Sequence, residues 1–117
     1  DDDKMMGALA TPGLLAAQEA EAGPYPTGKD ETITSDEGRT KHAIALMRRL
    51  KPDFATVYLT GFDHEQHEAG PDSPAARAVL VRIDVAVSQL VAAGVPRARS
   101  HDCAKRPRSR PVEKTPA

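Results

Sequence analysis

Residues 54–60, "FATVYLT", are the most strand-like stretch of the chain, and they stand between two helix patterns. Phe54, Thr56 and Tyr58 alternate with Ala55, Val57 and Leu59, so neither face is plainly polar. A strand that is apolar on both faces belongs in a parallel sheet covered by helices. A lone strand, however, is not a stable sheet. Three arrangements meet this constraint. Another segment pairs with 54–60, two chains self-associate through it, or it stays poorly formed and the chain is mainly helical with disordered ends.

The flanking helices have clear punctuation. In residues 34–50, Ala43, Leu46, Met47 and Leu50 form one apolar stripe at helical spacing. Thr34 and Glu37 have capping-box spacing, and Asp36 suits the positive end of the helix dipole. Pro52 stops this helix near Leu50 or Lys51. Residues 73–94 make the strongest helix pattern, with Ser73 as cap, Pro74 at the first helical position and Gly94 at the end. Its expected buried stripe is Ala76, Leu80, Ile83, Val87 and Leu90. A shorter helix is expected within 11–23, capped by Thr11 and stopped by Gly23.

The organisation that follows has four parts. Residues 1–4, "DDDK", look like the remainder of a cleavable expression tag. Residues 5–33 form a loop-rich segment with one short helix, and 34–94 form an α/β unit of helix, strand, loop and helix. Residues 95–117 carry seven Arg and Lys against two acids, with four prolines, and read as a disordered basic tail. Residues 5–94 are mildly acidic, with eight basic against twelve acidic residues.

Composition narrows function by exclusion. Aromatic residues make up 3% of the chain, so the core is expected from Leu, Val, Ile and Ala. Cys103 is the only cysteine, which rules out an intramolecular disulfide and a Cys-rich zinc site. No apolar run of about 18 residues exists, so no membrane span is expected. The basic tail has no aromatic interleaving, so nucleic acid is not the expected partner.

Chemistry concentrates in residues 61–71, "GFDHEQHEAGP", directly after the strand-like stretch. Open α/β sheets place ligands at this point. Asp63 and His67 are four apart, so one tight turn brings both side chains to one side. A carboxylate oxygen and a neutral imidazole nitrogen both suit Zn²⁺. Two donors are fewer than the three or four that zinc takes from protein. His64, Glu65 and Glu68 read as solvent-exposed, His42 as a surface or half-buried residue, and Phe54 and Tyr58 as core.

The stretch "KPDFATVYLTGFDHEQHEAGPDSPAARAVLVRIDVAVSQLVAAG", 51–94, resembles the nucleotide pyrophosphatase/phosphodiesterase branch of the alkaline phosphatase superfamily. The likeness lies in the "KPD" lead-in, the core strand and the Asp-x-x-x-His turn. It continues through the "GP" pair and a helix with Asp84 near its middle. "TPGLLAAQEAEAGPYP", 11–26, is compatible with the preceding stretch, so the resemblance spans about residues 11–94. It implies a portion of an alkaline-phosphatase-like three-layer α/β fold. It also implies zinc-dependent hydrolysis of a small phosphoester or pyrophosphate substrate. Carried over by residue, it makes Asp63 and His67 two ligands of one zinc ion. The family's nucleophile, its early metal-binding Asp and its Ser-Asp-His-Gly signature have no counterpart here, and "SHDC" stands at 100–103. A truncated gene or a shifted reading frame after Val95 would give such a tail. The expectation is therefore a catalytically incomplete piece of such an enzyme; the alternative is a non-catalytic structural or interaction module.

Overall fold

The computed structural model describes residues 2–94. Five helices follow one another: α1 (Asp2–Leu9), α2 (Leu14–Ala22), α3 (Ile33–Leu50), α4 (Gly61–Ala69) and α5 (Pro74–Gly94). Among the described residues there is no strand, which corrects the expected α/β fold. The reason is physical. "FATVYLT" has the right residues for a strand, but a strand exists only through main-chain bonds to a second one. None of the described residues supplies it. The stretch from Pro52 to Leu59 instead runs without regular structure between α3 and α4. Phe54 and Tyr58, expected in the core, are 84% and 82% exposed. The expected basic tail, 95–117, lies outside the described residues. Residues 2–4, set apart above as a tag remnant, are continuous with α1.

Helix α3 is the centre of the packing, in contact with α2, α4 and α5. Its N-cap is Thr32 rather than Thr34, and no side chain caps it. The turn before it is held by Asp30, whose Oδ1 accepts from the Thr32 amide (3.0 Å) and hydroxyl (2.6 Å). Such an Asx turn lets a carboxylate replace a backbone acceptor. The Thr32 hydroxyl, followed by the Thr32 amide, holds the Asp30 carboxyl below its usual pKa. At the other end Lys51 takes a left-handed conformation, its amide donates to the Met47 carbonyl, and Pro52 follows.

Helix α5 begins as its sequence dictates, with the Ala76 amide donating to Ser73 Oγ at 3.0 Å. Three of the five expected stripe residues, Ala76, Ile83 and Leu90, face inward, while Val79 and Ala86 take the places expected for Leu80 and Val87. Ala76, Val79 and Ala86 are buried and Ile83, Leu90 and Ala93 half-buried, whereas Leu80 and Val87 are exposed. The inward set has the 3-4-3-4-3 spacing of a helix seam. On α3 the expected Ala43, Leu46 and Met47 are half-buried and Leu50 is exposed, while Ile33, Ala45 and the polar Ser35, Asp36, Thr40 and His42 are buried. Helix α2 joins through Gln18, whose Nε2 donates to the His42 carbonyl at 2.7 Å and whose Oε1 accepts from Arg49 at 2.7 Å. No helix among the described residues is long and apolar enough to cross a membrane.

A fork-shaped pair ties α3 to α5. Arg82 Nε and Nη2 donate to Glu37 Oε1 and Oε2, each at 2.8 Å. Glu37 is thereby used across helices, not in the capping box its spacing suggests. The Arg82 hydrogen bonds hold the Glu37 carboxyl below its ordinary value of 4.5. A depressed folded-state pKa gives stability that is present above the unfolded value and lost as pH falls through the folded one. Both side chains are partly exposed, so solvent screens the pair. Arg82→Gln is expected to lower the melting temperature slightly at pH 7. Thermal melts from pH 7 down to 3 check this, and the gap between wild type and variant should close below about pH 4.5.

Candidate functional site

The site helix, α4, is positioned by a carboxylate from another helix. Asp36, in the first turn of α3, is fully buried. Its Oδ1 accepts from the Thr60 amide at 3.1 Å, and its Oδ2 accepts from the Gly61 amide at 2.6 Å. These are the first amides of α4, which an α-helix cannot satisfy itself. Thr60, the N-cap of α4, makes no side-chain cap bond. Asp36 thus caps α4 from 24 residues away, and its charge lies at the positive end of the α4 dipole. Arg39 Nη1 completes the shell at 3.0 Å from Oδ1. The same guanidinium donates through Nη2 to the Thr27 (3.1 Å) and Asp30 (2.6 Å) carbonyls. A buried charge needs such partners, since an unpaired one would cost several kcal/mol.

Gly61 is the residue this contact demands. A Cβ there would lie 2.8 Å from Asp36 Oδ2 and 2.8 Å from both Cα and N of Ile33. Two of those three atoms are backbone and cannot swing away. Helix α4 ends at Gly70, with φ +93°, a conformation that favours glycine. The chain then turns into α5.

Asp63 and His67 lie on α4, so the expected strand-to-helix loop is itself a helix. The structure brings the two together: Asp63 Oδ2 is 3.5 Å from His67 Nε2, one turn apart. Their side chains are 81% and 78% exposed. Two ligands about 2.0–2.2 Å from a tetrahedral ion lie about 3.3–3.6 Å from each other. The separation therefore fits a shared cation. His64 points elsewhere, its Nδ1 3.8 Å from Glu31 Oε2. Among the described residues, no group of three or more His, Cys, Asp and Glu side chains comes together as a metal cluster.

A family model described as type I phosphodiesterase / nucleotide pyrophosphatase matches residues 10–104. The chain belongs to that family. Comparison with curated proteins and with solved structures returned no match. The family match covers α2 to α5 and runs past Val95, where the resemblance in residues 11–94 ends. In this phosphodiesterase-family chain, α4 is the element that carries both Asp63 and His67.

Sequence reasoning missed Asp36 and Gly61 as the pair that sets α4 in place. Only a short-range signal existed: an acid in the first turn of α3 and a glycine after a strand-like stretch. His42 was also misjudged. It is buried, packs edge-on to Tyr25 with ring centroids 4.9 Å apart, and has no partner for either ring nitrogen among the described residues. It borders a cavity of about 610 Å³ between α2, α3 and the 56–60 stretch, with Leu14, Tyr25, Leu46 and Val57 in the wall. Neither Asp63 nor His67 lines that cavity.

Gly61→Ala is expected to destabilise the fold by about 1–3 kcal/mol, the typical cost of overpacking. Gly7→Ala, inside α1 where no atom lies within 4 Å of the added carbon, should not destabilise and should gain up to about 1 kcal/mol from helix propensity. Urea unfolding followed by circular dichroism measures both.

Proposed function

We propose that this chain contributes part of the active site of a metal-dependent hydrolase of small phosphodiester or pyrophosphate substrates. In this reading Asp63 and His67 hold one zinc ion. The single observation that carries it is the 3.5 Å approach of Asp63 Oδ2 and His67 Nε2 on an open turn of α4, in a chain of this family. The donor types agree with zinc, and both side chains are free to reorient because solvent surrounds them. The bound ion would supply Lewis acidity to a phosphoryl oxygen.

The chain's own residues have separable tasks. Asp63 brings a charged oxygen and His67 a neutral nitrogen. Asp36 and Gly61 fix the start of the helix that carries both. His64, turned toward Glu31, is not needed as a ligand. Two donors alone give a weak site, because zinc affinity rises with a full, closed ligand set. We therefore infer that the chain on its own does not turn over substrate. The second reading is a non-catalytic structural or interaction module.

A ¹H–¹⁵N NMR titration with ZnCl₂ tests the metal assignment. Shifts should concentrate in residues 60–69, with half-saturation on the order of 0.1–1 mM. His67→Ala should remove them. A spectrum unchanged at millimolar zinc would overturn the assignment. Bis(p-nitrophenyl) phosphate with added zinc should show no turnover; hydrolysis that Asp63→Ala abolishes would contradict the inactivity.

A further inference from the structure

We propose that residues 55–59 form a symmetric antiparallel β-interface between two copies of this chain. Three observations carry the proposal. First, the main chain there is open to a partner: among the described residues, no N–H or carbonyl of residues 53–59 has an intrachain hydrogen-bond partner. Its neighbour Thr60 is already engaged, its amide with Asp36 and its carbonyl with the His64 amide. The run of groups without an intrachain partner ends at Thr60, and a second main chain laid beside such a run can supply its hydrogen bonds.

Second, the stretch shows much of the side-chain pattern of a strand. Phe54, Thr56 and Tyr58 are exposed, whereas Val57 and Leu59 are half-buried. This is a two-residue alternation, broken only by exposed Ala55. Thr56, Val57 and Tyr58 also border the cavity against α3. A two-stranded ribbon is marginal alone but gains stability when it packs on helices.

Third, the sequence complements itself. An antiparallel register centred on Val57 sets Ala55 opposite the partner's Leu59 and Thr56 opposite the partner's Tyr58. Phe54 falls beside the partner's Thr60. Apart from the central pair of Val57 with the partner's Val57, small therefore meets large at each pair, and two of the pairs join an aromatic ring to a β-branched side chain. Residues 54–60 contain no charge, and Asp53 stands opposite the partner's Gly61. A parallel register would instead stack Asp53 on Asp53. An isologous contact of this kind closes about a two-fold axis and stops at two copies.

Sedimentation equilibrium of the full chain, from about 1 to 500 µM, tests this. The expected result is a reversible species of twice the 12.5 kDa chain mass. Val57→Pro removes a ladder donor at a position with no intrachain bond to lose, so the helical circular dichroism signal should persist. The dimer dissociation constant should rise by about 100-fold or more. In a Cys103→Ser background, Val57→Cys should cross-link between chains under mild oxidation, and Val81→Cys, on the exposed side of α5, should not. A monomer at every concentration, a species larger than two, or a dimer that Val57→Pro leaves intact would each overturn the proposal.

Discussion

The Asp36 carboxylate is the contact on which the arrangement of the site depends. It is fully buried and charged, a condition that a protein tolerates only when each oxygen is satisfied. Here two amides at the start of α4 and one guanidinium do so. The bonds are charge-assisted and hence stronger than neutral ones. They join the first turn of α3 to the first turn of α4, leaving no room for a side chain at position 61. Placement of Asp63 and His67 follows from this, because both ride on α4 within two turns of the anchored end.

Around that contact the helices are joined by a few specific polar links over a small apolar core. Gln18 binds α2 to α3, Glu37 and Arg82 bind α3 to α5, and Arg39 binds the 27–30 turn to Asp36. Among the described residues the buried apolar ones are few and mostly small: Ile33, Ala45, Ala76, Val79 and Ala86. A core of this size leaves much of the specificity to hydrogen-bond geometry. It also leaves apolar surface on the far side of α5, where Val81, Val85 and Val91 are exposed.

What could be read from the sequence follows from how local each signal is. The C-terminal end of α3 and the start of α5 depend on nearby residues, Pro52 in one case and Ser73 with Pro74 in the other, and these were legible. On α5, Ala76, Ile83 and Leu90 were legible as inward positions, whereas Val79 and Ala86 replace the expected Leu80 and Val87, because the helix is apolar on more than one side and neighbouring positions compete for the same stripe. The strand at 54–60 was expected from residue type alone, whereas a strand needs a partner that no local pattern can supply. Helix α4 was missed for a related reason. Its polar sequence has no apolar stripe, and its cap comes from Asp36, far away in the chain. The Asp63 and His67 pairing was legible because an i, i+4 spacing gives the same neighbours in any helical turn.

The account's central claim is that the Asp36 carboxylate, not the Thr60 side chain, caps α4 and holds it on α3. Amide hydrogen exchange at Thr60 and Gly61 tests it most directly. In the wild-type chain both amides should be protected. In Asp36→Asn, which keeps the shape but loses the charge and turns an amide donor toward other donors, their protection should fall by about 10- to 100-fold, while that of the α5 interior changes less. Equal protection of Thr60 and Gly61 in both proteins would contradict the account.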